Sequence, residues 1–195
     1  MYTGKHVNLR PLQPAFIMAS SGEAVTYREL DARSNRLAHL FRNRGLKRLD
    51  HYSIFMENNS RYLEACGAGE RSGLYFTCVN SYLTAAALAY ILTNSQSRIL
   101  ITSREKLDVA RDALKECPKV ELCIVADGEG ESDRIVGLRE VTAGLPHTPI
   151  ADECVGTAML YSSGTTGRPK GILRPLPELS ADQQLPLFDF LVKIW

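Results

Sequence analysis

The chain has 195 residues, of which 45% are hydrophobic and 23% are charged. This length suffices for one compact domain with a core, or at most two small ones. The composition excludes a disordered tail, a collagen-like fibre and a disulfide-rich miniprotein. The 23 basic and 22 acidic residues leave a net charge of +1, which gives nucleic acid or anionic lipid no charged surface to bind. We therefore expect no nucleic-acid partner.

Cysteine, histidine and hydropathy patterns indicate the compartment. The five cysteines are scattered without a Cys-x-x-Cys pair, and the four histidines are widely spaced, so no metal-ligand cluster is predicted. Free thiols fit a reducing cytosol. Residues Met1–Arg10 are polar and lack the apolar region of a signal peptide. No apolar run approaches the roughly 18 residues that span a bilayer. We expect a cytoplasmic protein without a transmembrane segment.

The first strong helix signal is a capping box over Thr26–Glu29, in which the first and last side chains each satisfy a free backbone N–H. Apolar residues follow at helical spacing, and Gly45 stands at the left-handed position that ends many helices. These signals predict a helix over Tyr27–Arg44. A second candidate cap, Thr84, has Ala87 where the Glu would be, so the helix behind it should begin more weakly.

Strand and helix signals alternate along the rest of the chain. The predicted elements are, in chain order, a strand with Tyr52, Ile54 and Met56, a helix over Arg61–Ser72, a strand over Leu74–Val79, a helix over Ala85–Asn94, a strand over Arg98–Thr102, a helix capped by Ser103 and ended by Pro118, and strands over Leu122–Ala126 and Gly156–Tyr161. This alternation with short connectors predicts an α/β fold, a mostly parallel sheet covered by helices.

The most informative segment is the string YSSGTTGRPKG, residues Tyr161–Gly171. Its glycines allow backbone conformations that direct consecutive N–H groups into one concavity, and its Ser and Thr hydroxyls add further donors. Lys170 supplies a full positive charge, and Pro169 limits how far the loop relaxes. Such a loop suits an anion, such as the β and γ phosphates of a nucleotide or a departing pyrophosphate.

Two other phosphate motifs do not match. A Walker A loop needs Gly-Lys-Ser/Thr, whereas Lys170 lies between Pro169 and Gly171. Acidic residues around Gly128–Gly130 would repel a pyrophosphate, so no dinucleotide-binding fingerprint is predicted there. A flexible polar hairpin without a ligand is the alternative interpretation of Tyr161–Gly171.

The string YSSGTTGRPKG resembles the phosphate-binding signature of the adenylate-forming (AMP-binding) superfamily, which includes acyl-CoA synthetases and luciferases. The segments Thr26–Gly45, Met56–Leu74 and Thr77–Ser103 are similar in order and spacing to its N-terminal region. The strings MENNSRYLE and RSGLYFTCVNSYLT most resemble bacterial fatty-acyl-CoA synthetases. The resemblance implies that residues 1–195 form the N-terminal portion of the large α/β domain of these enzymes, a partial AMP-binding domain.

The resemblance also implies a two-step reaction. A fatty or other carboxylic acid attacks the α-phosphate of Mg²⁺-bound ATP to give an acyl-adenylate and pyrophosphate, and coenzyme A, the co-substrate, then displaces AMP. Carried over by position, Ser162 approaches Mg²⁺. The residues implied to hold the ATP phosphates are Ser162, Ser163, Gly164, Thr165, Thr166, Gly167 and Lys170.

Other family parts are implied to lie outside residues 1–195: the adenine and ribose contacts, the hinge, and the C-terminal domain with the adenylation lysine. No catalytic residue is therefore predicted within the chain, and the chain alone should be an inactive fragment. The alternative is a non-catalytic nucleotide-binding or interaction module derived from a truncated paralogue. A relative acting on an aryl or amino acid is a third option.

The apolar tail, two histidines and two cysteines are interpreted mainly as structural rather than catalytic features. The apolar tail Leu185–Trp195 is either a core helix or an acyl- or membrane-touching surface, and when exposed it should favour a homo-oligomer. His51 and His147 are interpreted as loop residues rather than catalytic bases. Cys66 and Cys78 lie in apolar runs and are predicted to pack as small hydrophobes.

Overall fold

A six-stranded parallel sheet lies at the centre of the molecule. The elements of the chain are, in order, α1 (Gly4–Leu9), β1 (Pro14–Ile17), β2 (Ala24–Thr26), α2 (Tyr27–Asn43), β3 (His51–Phe55), α3 (Tyr62–Arg71), β4 (Tyr75–Cys78), α4 (Ala85–Asn94), β5 (Ile99–Thr102), α5 (Leu107–Leu114), β6 (Leu122–Val125), β7 (Ile135–Gly137), α6 (Leu138–Thr142), β8 (Thr157–Ala158), β9 (Leu160–Ser162) and β10 (Lys170–Ile172). The computed structural model describes residues 2–162 and 168–183. The sheet order is β7-β6-β5-β3-β4-β8, with every pairing parallel.

Helices cover both faces of this sheet. Helices α2, α3 and α6 pack on one face, and α4 and α5 pack on the other. Within β5, Ile99 and Ile101 belong to the first face and Leu100 belongs to the second, because successive strand side chains point to opposite sides. All residues of β5 and β6 are buried, so both strands have continuous apolar sequences. The predicted α/β fold is confirmed.

The two candidate helix caps differ as the sequence predicts. The Thr26 hydroxyl accepts a hydrogen bond from the Glu29 N–H at 3.2 Å, and the Glu29 carboxylate accepts one from the Thr26 N–H at 2.8 Å. Gly45, with φ of +72°, follows the end of α2. At α4, the Thr84 hydroxyl accepts from the Ala87 N–H at a longer 3.4 Å, and Ala87 returns no second bond.

The single strand predicted over Gly156–Tyr161 is wrong, because the segment divides between two sheets. Residues of β8 pair with β4 at the edge of the main sheet, and the Met159 N–H still donates to the Phe76 carbonyl at 2.9 Å. Strand β4 ends soon afterwards, at Cys78, so β9 pairs with β10 instead, in an antiparallel hairpin. This division carries the chain away from the main sheet just before residue 163.

Other differences concern short elements. Ser103 caps a turn rather than the helix itself, since its hydroxyl accepts from the Lys106 N–H at 3.3 Å and α5 begins only at Leu107. No sequence pattern predicted α1, β1, β2, β7, α6 or β10. Each of these has only three to six residues, which is too short for a periodic pattern to be seen.

A buried arginine joins the N-terminal helix to the body of the domain. Arg71 is 1% exposed and donates to Asp31 at 2.7 Å and to the Thr3 hydroxyl at 2.9 Å. It also hydrogen-bonds Asn35 and lies 3.6 Å from the Glu153 carboxylate. A buried charge is tolerated only when it is paired and hydrogen-bonded in this way, so the network fixes the start of α1 and Glu153 against α2 and α3.

Candidate phosphate-binding site

The parallel sheet determines where a ligand site can form. In open α/β sheets, ligands bind outside the carboxyl ends of the strands. Strand β8 runs parallel to β4, with Tyr75 opposite Thr157 and Phe76 opposite Ala158. The chain that leaves β8 therefore emerges at the carboxyl edge of the sheet and enters the β9–β10 hairpin there.

The hairpin brings two predicted phosphate ligands opposite each other. Ser162 is the last residue of β9, Lys170 is the first residue of β10, and the two are register partners. Both side chains are exposed and thus available to a ligand in solution. The other five predicted ligands lie outside the described residues, so their contact with phosphate stays a prediction: Ser163, Gly164, Thr165, Thr166 and Gly167.

Helix α4 holds both sides of this segment. The Tyr161 hydroxyl donates to the Asn94 side chain at 2.7 Å, and the Tyr90 hydroxyl donates to the Pro169 carbonyl at 3.1 Å. The Arg168 guanidinium lies 5.4 Å from the centre of the Tyr90 ring, within the range of a cation–π contact. Burial raises the pKa of Tyr161 to about 12, so its hydroxyl keeps the proton that it donates. No sequence signal pointed to Tyr90 or Asn94 as part of the site.

A second polar cluster lies at the carboxyl ends of β3, β5 and β6. The Glu57 carboxylate accepts from the Ser103 hydroxyl at 2.5 Å and from the Asn59 amide at 3.1 Å. Asp127 accepts from that same amide at 2.7 Å and from the Arg104 N–H at 2.7 Å. Burial raises the pKa of Glu57, but these hydrogen bonds outweigh it and lower the pKa. The cluster therefore hydrogen-bonds both carboxylates and joins the loops that follow β3, β5 and β6.

Two cysteines and a tyrosine form a third group near the end of β4. Cys66 is partly buried against the core, as predicted, but the prediction that Cys78 packs as a small hydrophobe is wrong because its side chain is exposed. The nearby Cys66 and Tyr62 side chains favour the Cys78 thiolate and lower the pKa of Cys78, while the pKa of Cys66 rises above its ordinary value. The pKa shift of Cys78 arises from side chains that are close in space but separated in the sequence. The sequence pattern therefore could not predict it.

The histidines and the tail complete the list of predicted sites. His147 lies in a loop and is exposed, whereas His51 is the first residue of β3 rather than a loop residue. The His51 ring stacks on Tyr75 at 5.0 Å between ring centres. Among the described residues, no group of three or more His, Cys, Asp or Glu side chains is arranged to hold a metal ion, and no helix is long and apolar enough to cross a bilayer. The predicted apolar tail, Leu185–Trp195, lies outside the described residues.

Sequence comparison decides the family. The family model described as "AMP-binding enzyme" matches residues 5–183. The chain belongs to the AMP-binding enzyme family. A 3-oxocholest-4-en-26-oate–CoA ligase of Rhodococcus rhodochrous is 33% identical over 162 residues, covering 80% of this chain and 29% of that protein. A fatty acid–[acyl-carrier-protein] ligase, ScoC of Streptomyces coeruleorubidus, is 32% identical over 171 residues. The match covers 88% of this chain and 31% of ScoC.

Structural comparison supports the fold of this AMP-binding chain. The crystal structure of the anthranilate CoA ligase AuaEII in complex with anthranoyl-AMP superposes with a TM-score of 0.78 and 21% identity. The match covers 87% of this chain and 33% of that one. At such identity the likeness shows the fold alone. The chain spans less than a third of the length of the two sequence relatives.

Proposed function

We propose that the AMP-binding protein to which this chain belongs activates a carboxylic acid with ATP. The carboxylate attacks the α-phosphate, pyrophosphate leaves, and the resulting acyl-adenylate then transfers its acyl group to a thiol with release of AMP. The complete reaction is proposed for the whole family protein, because the chain spans less than a third of its relatives. Residues 1–195 are proposed as part of one AMP-binding domain, and their own task is to hold the phosphates.

The observation that carries this proposal is the register of the hairpin. Ser162 and Lys170 face each other where the connecting loop leaves β9 and enters β10, at the sheet edge where α/β folds bind ligands. The ammonium group of Lys170 is a compact positive charge, and an adjacent hydroxyl can donate to a phosphate oxygen. Donors that are fixed before the reaction stabilise the negative charge that develops on departing pyrophosphate. Residues 163–167 would add backbone donors to the same phosphates.

The proposed Mg²⁺ ion must rely mainly on the nucleotide. Mg²⁺ prefers octahedral coordination by oxygen, much of it from water and substrate phosphates. Ser162 offers one exposed, neutral hydroxyl oxygen, which fits a single position of such a shell. When bound with ATP, the ion would neutralise phosphate charge, and Ser162 would orient the nucleotide beside it.

The acid and the thiol are proposed from the relatives. The names of the two relatives specify a steroid acid and a fatty acid, both of which carry a large apolar group. We therefore propose a fatty or similarly apolar carboxylic acid as substrate. One relative is a CoA ligase and the other is an acyl-carrier-protein ligase, and coenzyme A is the thiol that we propose here.

Calorimetric titration of the chain with ATP and Mg²⁺ tests phosphate binding. A charged hydrogen bond contributes about 1.5–3 kcal/mol, so Lys170→Ala should weaken binding by roughly tenfold or more. The matched control is Lys119→Ala, which removes another exposed lysine distant from the hairpin in sequence. Equal binding by both variants would contradict the assignment of Lys170. Both variants should unfold at the same urea concentration as the unmodified chain.

Exchange of labelled pyrophosphate into ATP separates activation from binding alone. A whole family protein containing this segment should show exchange that depends on an added carboxylate, and Lys170→Ala should lower it. The 195-residue chain by itself should bind ATP without exchange. Exchange that proceeds equally without any carboxylate would contradict acid activation. It would not affect the assignment of the phosphate site, which the calorimetric titration tests separately.

A further inference from the structure

A cavity lined by arginines lies on the face of the sheet opposite α4 and the hairpin contacts. It has a volume of about 340 Å³ and opens between α2, α3 and α6. Its polar lining consists of Arg33, Arg36, Arg61, Glu64, Arg139 and Thr142, here called the arginine cavity. Arg33 and Arg36 are three residues apart on α2, and such residues are neighbours on one helical face.

Positive charge in the arginine cavity is largely uncompensated. Glu64 supplies the one carboxylate of the lining, and it is buried. Its oxygen lies 3.0 Å from the Arg61 guanidinium and 4.0 Å from that of Arg33. Within residues 2–162 and 168–183, Arg36 and Arg139 form no hydrogen bond or ion pair through their side chains. The guanidinium groups of Arg61 and Arg33 thus lie near carboxylates, Glu64 for both and also Glu29 for Arg33, whereas those of Arg36 and Arg139 lack one among the described residues. A bound anion would reduce the repulsion among the four positive charges.

One buried donor points to the same conclusion. The Nη1 atom of Arg33 is buried and lies 4.0 Å from the Glu64 carboxylate, beyond hydrogen-bond distance, and it has no hydrogen-bond partner among the described residues. Leaving a buried polar donor unsatisfied costs about 1–3 kcal/mol, and more for a charged group. Folded proteins rarely accept this cost without a ligand or an ordered water. An anion seated between Arg33 and its neighbours would satisfy the donor and reduce the repulsion together.

We propose that the arginine cavity binds a small phosphorylated anion with at least two negative charges. Guanidinium groups match phosphate oxygens with paired hydrogen bonds, and arginines from α2, from α6 and from the residue before α3 can approach such a group from several sides. The volume lies at the low end of the range for small-molecule pockets, roughly 300–1,000 Å³, which suits phosphate or a compact phosphate ester. The site is separate from the hairpin and does not depend on the function proposed for it.

Thermal unfolding of the chain at constant ionic strength tests this site. The probes are inorganic phosphate and glycerol 3-phosphate, with sodium chloride added to equal ionic strength in the reference. A ligand that binds only the folded state raises the unfolding temperature in proportion to the logarithm of its concentration above Kd. Both probes should raise the temperature, and a tenfold tighter apparent Kd for glycerol 3-phosphate would identify an ester as the better ligand.

Variants locate the effect. The double variant Arg36→Gln/Arg139→Gln should weaken the apparent Kd for phosphate at least tenfold. The matched control is Arg28→Gln, which removes an exposed arginine from the same helix outside the cavity and should stay within twofold. Stabilisation that Lys170→Ala removes is assigned to the hairpin, and only the part that persists in Lys170→Ala and is lost in the double variant is assigned to the arginine cavity. Equal stabilisation of the double variant and the unmodified chain would overturn the proposal.

A direct measurement covers the case in which the double variant folds poorly. In the unmodified chain, the Nε–H NMR signals of Arg33, Arg36 and Arg139 should shift with a common Kd as phosphate is added. The corresponding signal of Arg28 should not shift. A shift of the Arg28 signal as large as those of Arg33, Arg36 and Arg139, or no shift of these three signals, would overturn the proposal.

Discussion

Strands β5 and β10 are both short, but they differ in burial and in the number of neighbouring strands. Every residue of β5 is buried between two layers of helices, whereas every residue of β10 is exposed. Strand β5 has a hydrogen-bonded neighbour on each side, β3 and β6. Strand β10 pairs only with β9 within the part of the chain that the structure describes.

The difference separates stability from binding. Buried apolar area is the main favourable contribution to folding, so β5 and its neighbours hold the domain together. The hairpin leaves Ser162 and Lys170 open to solvent, and contacts from Tyr90 and Asn94 of α4 fix its position. Substitutions in the sheet should therefore change unfolding, and substitutions in the hairpin should change ligand binding instead.

The largest expected effect is truncation of a central core residue. Leu100 in β5 is 0% exposed, and removing such a side chain costs about 2–5 kcal/mol because the cavity left behind cannot collapse fully. Leu100→Ala should lower the free energy of unfolding by that amount in urea titrations followed by circular dichroism. The comparison variant is Ile172→Ala in β10, where the side chain is 45% exposed and the expected loss is roughly 0.5 kcal/mol.

A comparable loss in Leu100→Ala and Ile172→Ala would break the contrast between sheet and hairpin. It would mean that the hairpin contributes to the core as much as β5 does. ATP titration of the same variants sharpens the test, because Leu100→Ala should retain its affinity wherever it remains folded.

Two glycines provide a second, smaller contrast. A Cβ atom at Gly156, where the chain enters β8, would collide with the Gly69 carbonyl oxygen and lie 2.6 Å from that of Leu74. A Cβ at Gly171 in β10 would meet the end of the flexible Met159 side chain at 2.5 Å. Backbone cannot retreat as a side chain can, so Gly156→Ala should cost about 1–3 kcal/mol.

Gly171→Ala is the control for this pair and should change the free energy of unfolding by less than about 1 kcal/mol. Both measurements use the same urea titration. If Gly171→Ala were the more destabilising of the two, the hairpin would be packed more rigidly than the edge of the sheet, and the contrast would be reversed.

Much of the fold was predictable because its signals are local. The capping box at Thr26 set the start of α2, and Gly45 set its end. Continuous apolar runs identified β5 and β6 to within one residue. Strand β7 and helix α6 were not predictable, because three and five residues carry no period and form through contact with β6 and α2.

Of the candidate site, the sequence predicted the residues that bind phosphate but not the residues that support them. The string around Lys170 indicated phosphate binding, but its supports Tyr90 and Asn94 come from a helix about 70 residues earlier, and no local pattern links them. The arginine cavity escaped sequence analysis for the same reason. Its arginines come from α2, from α6 and from the residue before α3, and each one alone resembles an ordinary surface charge.

The smallest expected effect lies at the start of β3, where the sheet meets solvent. Burial lowers the pKa of His51 from its ordinary value of 6.5, and the Asp50 carboxylate opposes this only in part. The Nδ1 atom of His51 is buried without a hydrogen-bond partner among the described residues. On acidification the unfolded chain therefore takes up the proton first, near pH 6.5, and the folded chain takes it up only at lower pH.

Stability attributable to His51 is thus fully present above pH 6.5 and decreases as pH falls toward its lowered pKa. His51→Gln should reduce the loss of unfolding free energy between pH 7 and pH 5, measured by urea titration at each pH. The matched variant His147→Gln changes an exposed histidine and should leave that loss as it is. If the two variants lost the same amount, burial at the start of β3 would not control the protonation of His51, and this end of the sheet would behave like the exposed hairpin.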